Sequence, residues 1–191
     1  MQSLDDSFAE LQLRLGDSQR LKNTGGDPVF YLVFHPKEMM AAKRKLRSWR
    51  AQLENHGWHV EVLSLAQTLN EFFNSHPLRK FWLSGEQLNP ADVDSVNATL
   101  REALLSNQVV ETRILAAVER LAHKQKGILL ITDTEALHPY LRIGAVEQRL
   151  TGRVSCPVVI LYPGRRGGET TLSFLGIYPD DGNYRSTHIG G

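Results

Sequence analysis

Three short runs in this chain are apolar at every position: Val29-Phe-Tyr-Leu-Val-Phe34, Ile128-Leu-Leu-Ile131 and Pro157-Val-Val-Ile-Leu-Tyr162. A strand with one face in water alternates apolar and polar residues. A continuous run rich in β-branched and aromatic side chains therefore marks a strand covered on both faces, as in a parallel sheet. Strands so buried need helices above and below them, which restricts the chain to layered α/β architectures.

The segments between these runs fit that frame. After residue 34, Met39, Ala42, Leu46, Trp49 and Leu53 recur at spacings of three and four, predicting a helix over 37–55 with one apolar stripe. Gly57 supplies a left-handed stop. Residues 58–64 alternate and read as a second strand, so strand, helix and strand form a right-handed βαβ unit. Residues 1–25 read as an amphipathic helix with Phe8, Leu11, Leu13 and Leu15 inward, followed by a turn. The middle, about 65–124, reads as a helical insertion between strands two and three. It comprises helices over 65–73, 90–105 and 108–123. An irregular stretch over 76–90 is expected to be anchored in the core by Phe81, Trp82 and Leu83. His138-Pro139 is expected to open a helix through Leu150, with Pro139 at its first position. Residues 157–162 and 170–176 close the fold as an antiparallel pair at a sheet edge. The expectation is one Rossmann-like α/β domain over residues 1–191, its sheet largely parallel and flanked by helices.

Composition narrows the class of function. A chain of 191 residues with net charge +1 has no global field that would imply nucleic acid. Its single cysteine, Cys156, excludes an internal disulfide and a multi-cysteine metal site, and reads as a buried small hydrophobe. The amino terminus lacks a signal-peptide layout, and no apolar run approaches the ~20 residues of a bilayer span. A soluble, cytoplasmic protein without membrane contact, cofactor or metal is expected.

Motifs for chemistry are sparse. Neither Gly-x-x-x-x-Gly-Lys-Ser/Thr nor Gly-x-Gly-x-x-Gly occurs, so triphosphate or dinucleotide binding through such loops is disfavoured. No Gly-x-Ser-x-Gly elbow occurs either, and no catalytic residue is nominated. The third strand runs into Asp133 and Glu135, an arrangement that in other folds holds magnesium through water. Its simpler explanation is capping of the following helical turn. His35, at the carboxyl end of strand one, and His138, beyond strand three, lie where open α/β sheets place ligands. Together with the two acids they form an alternative ligand site, although histidines at strand ends commonly just bond backbone or water.

Two groups of cations point to partners. Lys43, Arg44, Arg47 and Arg50 lie on the first long helix and form a candidate basic ridge for nucleic acid, as well as an ordinary solvated face. Arg165 and Arg166 lie on a glycine-rich turn, where guanidinium groups suit a phosphate or a partner's carboxylate.

Three segments carry a resemblance: 27–38 around the first strand; Leu130-Ile-Thr-Asp-Thr-Glu-Ala-Leu-His-Pro-Tyr-Leu-Arg142; and 157–185, with Pro163-Gly164 and the ending Asn183-Tyr184-Arg185. In order and spacing they resemble the BrxB-like family of BREX bacteriophage-defence systems. Thr132, Pro139, Arg142, Pro163, Gly164, Tyr184 and Arg185 match pattern positions, whereas Asp133 stands where a small residue is expected. The resemblance implies a non-catalytic accessory component that meets other BREX-type proteins, foremost a PglZ-like member of the alkaline-phosphatase superfamily. DNA would be reached through the complex. On this view Arg165, Arg166, Tyr184 and Arg185 are the partner-binding candidates. The alternative is a degenerate nucleotide- or nucleic-acid-binding domain lacking a Walker A loop.

Overall fold

The computed structural model describes residues 2–16, 27–168, 171–178, 181–182 and 186–191. The three apolar runs become strands β1 (Val29–Phe34), β3 (Gly127–Thr132) and β4 (Val158–Arg166), with β2 (His59–Ser64) beside them. The path of the sheet is β2-β3-β4-β1-β7, where β7 is Thr187–Gly190, and every neighbouring pair along it is parallel. The Rossmann-like arrangement is therefore present, with helices on both faces.

Side-chain alternation divides the core. Phe30, Leu32, Phe34, Ile128, Leu130, Val159, Leu161 and Ile189 face α1 (Leu4–Gly16) and α2 (Met39–Asn55). The intervening residues Val29, Tyr31, Val33, Leu129, Ile131, Val158, Ile160 and Tyr162 face the opposite layer. That layer is built from α3 (Leu65–Ser75), α6 (Val109–Ala122) and α7 (Ile143–Leu150), with Leu104 of α5 (Val93–Ser106). Uninterrupted apolar strands are thus explained by two cores, each such side chain contributing about 1.5–3 kcal/mol on burial. The β1–α2–β2 connection crosses one face, and β2–β3 and β3–β4 return across the other, so the winding reverses between β3–β4 and β1.

Four expectations need correction. Leu13 is 77% exposed, because it lies two residues from Leu11 and so across the helix from the stripe of Leu4, Phe8, Leu11 and Leu15. The stretch expected to be irregular contains α4 (Arg79–Leu88), which points Phe81 and Leu83 into solvent. Only Trp82 of the three turns inward, its ring stacked on His76 at 4.3 Å and edge-on to Phe73 at 6.1 Å. Pro139 does not start a helix. Residues Thr134–Leu137 form a 3-10 turn, the His138–Pro139 bond is cis, and α7 begins only after Arg142.

The closing pair is the fourth. β4 is central, hydrogen-bonded to both β1 and β3, and only its last residues, Gly164 to Arg166, pair antiparallel with β5 (Thr171–Phe174). β5 in turn pairs with the two-residue β6 (Asp181–Gly182). This ribbon projects from the middle of the sheet, and the edge beyond β1 belongs to β7.

Candidate functional site

The carboxyl ends of β1, β2, β3 and β4 converge where the winding reverses, the position at which open α/β sheets form ligand crevices. The ends of β2 and β3 deliver polar groups there, and β1 and β4 supply the apolar Phe34 and Leu161. Ser64 ends β2 and caps α3 by accepting the Gln67 N–H at 3.1 Å, while its hydroxyl donates to Asp133 Oδ2 at 2.5 Å. Thr132, buried at the end of β3, donates to the same oxygen at 2.9 Å. Asp133 adopts a left-handed conformation (φ 60°), which turns the chain sharply into the 3-10 segment. There Thr134 donates to the Leu161 carbonyl of β4 at 2.9 Å and holds the turn against the sheet. A short polar side chain is the usual non-glycine occupant of such a conformation.

From the neighbouring layer, Lys43 of α2 places its ammonium 2.7 Å from Asp133 Oδ1 and 2.6 Å from Glu135 Oε1. Burial pushes the Asp133 carboxyl up, but donors from Lys43, Ser64 and Thr132 outweigh it and hold the group below the usual carboxylate range. Burial likewise disfavours charge on Lys43, and its two carboxylate partners reverse that, raising it. Lys43, Thr132, Asp133 and Glu135 line a cleft of about 170 Å3 together with Phe34, Met39, Leu46 and Leu161. Lys43 fills the space between the acids that a cation bound by both would take. Among the described residues no three His, Cys, Asp or Glu side chains group as metal ligands.

The two histidines of the alternative site take separate partners. His35 caps the 3-10 turn Pro36–Glu38: its Nδ1 accepts the Lys37 N–H at 3.1 Å, and the Glu38 carboxylate accepts the His35 N–H at 3.3 Å. Its Nε2 lies 3.0 Å from Nη2 of Arg165. His138 instead meets the Tyr178 hydroxyl, 2.6 Å from its Nε2. Arg142 lies over the Tyr178 ring at 4.7 Å, so residues four apart in the sequence pattern close on one tyrosine of the ribbon. Tyr178 was not legible as a site residue. The only signal was a lone aromatic following the Leu175-Gly176 turn.

Arg165 and Arg166 are not on a flexible tip, since both belong to β4, in register with Ser173 and Leu172. Their side chains are exposed. Pro163 pairs with Phe34 in the parallel ladder, and its carbonyl accepts the Leu175 N–H at 2.9 Å. Gly164 is required by close approach, because a β-carbon there would collide with the Ser173 carbonyl and the Tyr162 ring. Tyr184 and Arg185 lie outside the described residues.

The basic ridge is partly neutralised. Lys43 turns to the two acids, Lys45 bonds Asp5 of α1 at 2.7 Å, and Arg50 bonds Glu54 one turn on at 2.8 Å. Arg44 and Arg47 remain on the outer side of α2. Asp5, Asp133 and Glu135 reach the ridge from α1 and from the turn after β3, segments distant in the sequence.

A family model described as BREX protein BrxB matches residues 64–189. The chain belongs to the BREX protein BrxB family. Membership makes it a component of a BREX defence system. The match takes in Asp133, His138, Arg142, Pro163, Gly164 and Tyr178, and begins after the segment that supplies His35 and Lys43. Comparison with curated proteins and with solved structures gives no match. No helix among the described residues is long and apolar enough to cross a membrane.

Proposed function

We propose that this BrxB-family chain is a non-catalytic interaction component of its BREX complex, docking onto a PglZ-like partner through the helical hairpin α4–α5. The observation that carries the reading is the apolar surface of that hairpin. Leu78, Phe81, Leu88 and Val93 are 53%, 72%, 87% and 58% exposed, close together in sequence on or beside a hairpin whose one fully buried apolar residue is Leu104. Scattered exposed apolar residues are ordinary, but a run of large ones on one protruding element is typical of a surface that another protein covers. Aromatic side chains such as Phe81 are enriched in the cores of such interfaces. Family membership supplies the class of partner, since the other components of the system are the proteins beside which this chain works. Arg165 and Arg166, exposed on β4, offer a second, polar contact suited to carboxylates.

The test is recovery of neighbouring BREX proteins on the tagged full chain from its native host. Phe81→Asp with Leu88→Asp should abolish co-purification of the PglZ-like protein, and Arg165→Ala with Arg166→Ala should weaken it. Undiminished recovery with the hairpin variant, or recovery of the chain alone in unmodified form, would remove the reading.

A further inference from the structure

We propose that His35 and Arg165 form a seat for a phosphate-type oxyanion at the carboxyl end of the sheet. His35 caps the 3-10 turn that follows β1. Its Nδ1 accepts the backbone N–H of Lys37 at 3.1 Å, so in the neutral ring the proton resides on Nε2. The atom facing that nitrogen at 3.0 Å is Nη2 of Arg165, and a guanidinium can only donate. Shifting the ring proton to Nδ1 would satisfy Arg165 but break the cap, and a doubly protonated ring would place a donor against both neighbours. No protonation state of His35 satisfies both contacts.

Two donors converging from separate strands, with no acceptor between them, are completed by an anionic oxygen that takes a hydrogen bond from each. The described residues around them do not provide one. Among the described residues Arg165 forms no ion pair, and Glu38 Oε2 accepts the His35 backbone N–H instead of meeting Arg165. The exposed Lys37, two residues beyond His35, and Arg166, next to Arg165, add to the positive charge of this end. Gly176, with φ +68°, passes along the pair: a β-carbon there would lie 3.9 Å from Pro36 Cγ and 4.0 Å from Arg165 Nε. The position, outside the carboxyl ends of β1 and β4 where the winding reverses, is the one that α/β sheets give to phosphate groups. Lys43, bonded to both neighbouring acids Asp133 and Glu135, offsets one of their two charges and turns both carboxylates toward α2. Free phosphate and the phosphate of a mononucleotide share this chemistry.

The full chain is titrated with inorganic phosphate, AMP and acetate, following the Lys37 amide and the His35 ring by nitrogen-edited NMR. Saturable shifts are expected with phosphate or AMP at a Kd of about 1 mM. Arg165→Gln should weaken binding by at least about tenfold, as expected for loss of a charge-assisted contact. His35→Asn retains an acceptor for the Lys37 N–H while removing the Nε2 donor, and should weaken binding with the fold intact. Arg50→Gln, which alters a cation paired with Glu54, should leave binding unchanged. Tighter binding of AMP than of phosphate identifies a mononucleotide as the source, and equal binding identifies free phosphate. Three results overturn the proposal: no saturation up to about 50 mM, acetate binding as tightly as phosphate, or an Arg165→Gln variant that binds like the parent.

Discussion

Lys43 and Asp133 are ninety residues apart in sequence, and their ammonium and carboxylate meet at 2.7 Å across the end of the sheet. The contact ties α2 of one layer to the turn that leaves β3, and Glu135 joins it at 2.6 Å. Lys43→Met should leave two carboxylates facing each other and destabilise the chain. In urea denaturation, the double-mutant cycle with Asp133→Asn should return a coupling of about 0.5–1.5 kcal/mol, limited by the partial exposure of the lysine. Because the folded Asp133 carboxyl is held below its ordinary value of 3.8, its contribution is complete above that value and is lost as pH falls through the lower, folded one. Lys43→Met should flatten this acid limb. A cycle with no coupling would mean that the pair contributes nothing to stability.

Tyr178 serves two partners with two parts of its side chain. Its hydroxyl meets His138 and its ring face carries Arg142. Tyr178→Phe should lose only the hydroxyl contact, about 0.5–1.5 kcal/mol. Tyr178→Ala should lose the cation–π contact as well, at least about 0.5–1 kcal/mol more. Thermal melts of the two variants decide it, and equal losses would mean that Arg142 gains nothing from the ring.

His188 on β7 is buried, edge-on to Tyr31 at 5.6 Å. Burial, with Arg166 nearby, lowers its pKa from 6.5 to about 4. Above pH 6.5 the ring is neutral in both folded and unfolded chains and contributes no slope. Between about 6.5 and 4 the unfolded chain takes up a proton that the folded one refuses, so stability falls as pH falls across that window. The melting temperature of His188→Gln should depend less on pH over that range, and an unchanged slope would assign it to other groups.

Phe81 and Trp82 are adjacent on α4, yet only one faces the protein. Phe81→Asp should therefore change stability by no more than about 0.5 kcal/mol, whereas Trp82→Ala should cost about 1–3 kcal/mol through lost stacking on His76 and Phe73. A large loss from Phe81→Asp would show that the exposed face belongs to the stable fold and would weaken its case as a docking surface.

The central strands were legible because burial on both faces leaves their positions apolar, as in Val29–Phe34 and 128–131. β7 was not. Four residues ending in glycine carry no such run, and Thr187–Gly190 becomes a strand only because β1 offers an open edge. Helix α4 was hidden for a related reason: with no inward stripe, Phe81 and Leu83 looked like anchors simply because they are large and apolar. At the candidate site, His35, Asp133, Glu135 and His138 could be nominated from their places at strand ends. Their pairings with Arg165, Lys43 and Tyr178 could not, because each joins segments far apart in the chain.

Gly164 shows how a position in a family pattern acquires a physical meaning. It is the point where β4 stops pairing with β1 and starts pairing with β5, opposite Phe174. A β-carbon there would press on the backbone carbonyl of Ser173 and on the Tyr162 ring, which is itself buried against Tyr31 and Phe174. A carbonyl in a hydrogen-bonded ribbon cannot move aside as a flexible side-chain end can, so Gly164→Ala should cost about 1–3 kcal/mol. The loss should concentrate in the ribbon, with faster amide exchange at Leu175, whose N–H bonds Pro163, than at Leu129 in the sheet. Uniform acceleration across the sheet would instead show that the ribbon and the parallel strands unfold as one unit.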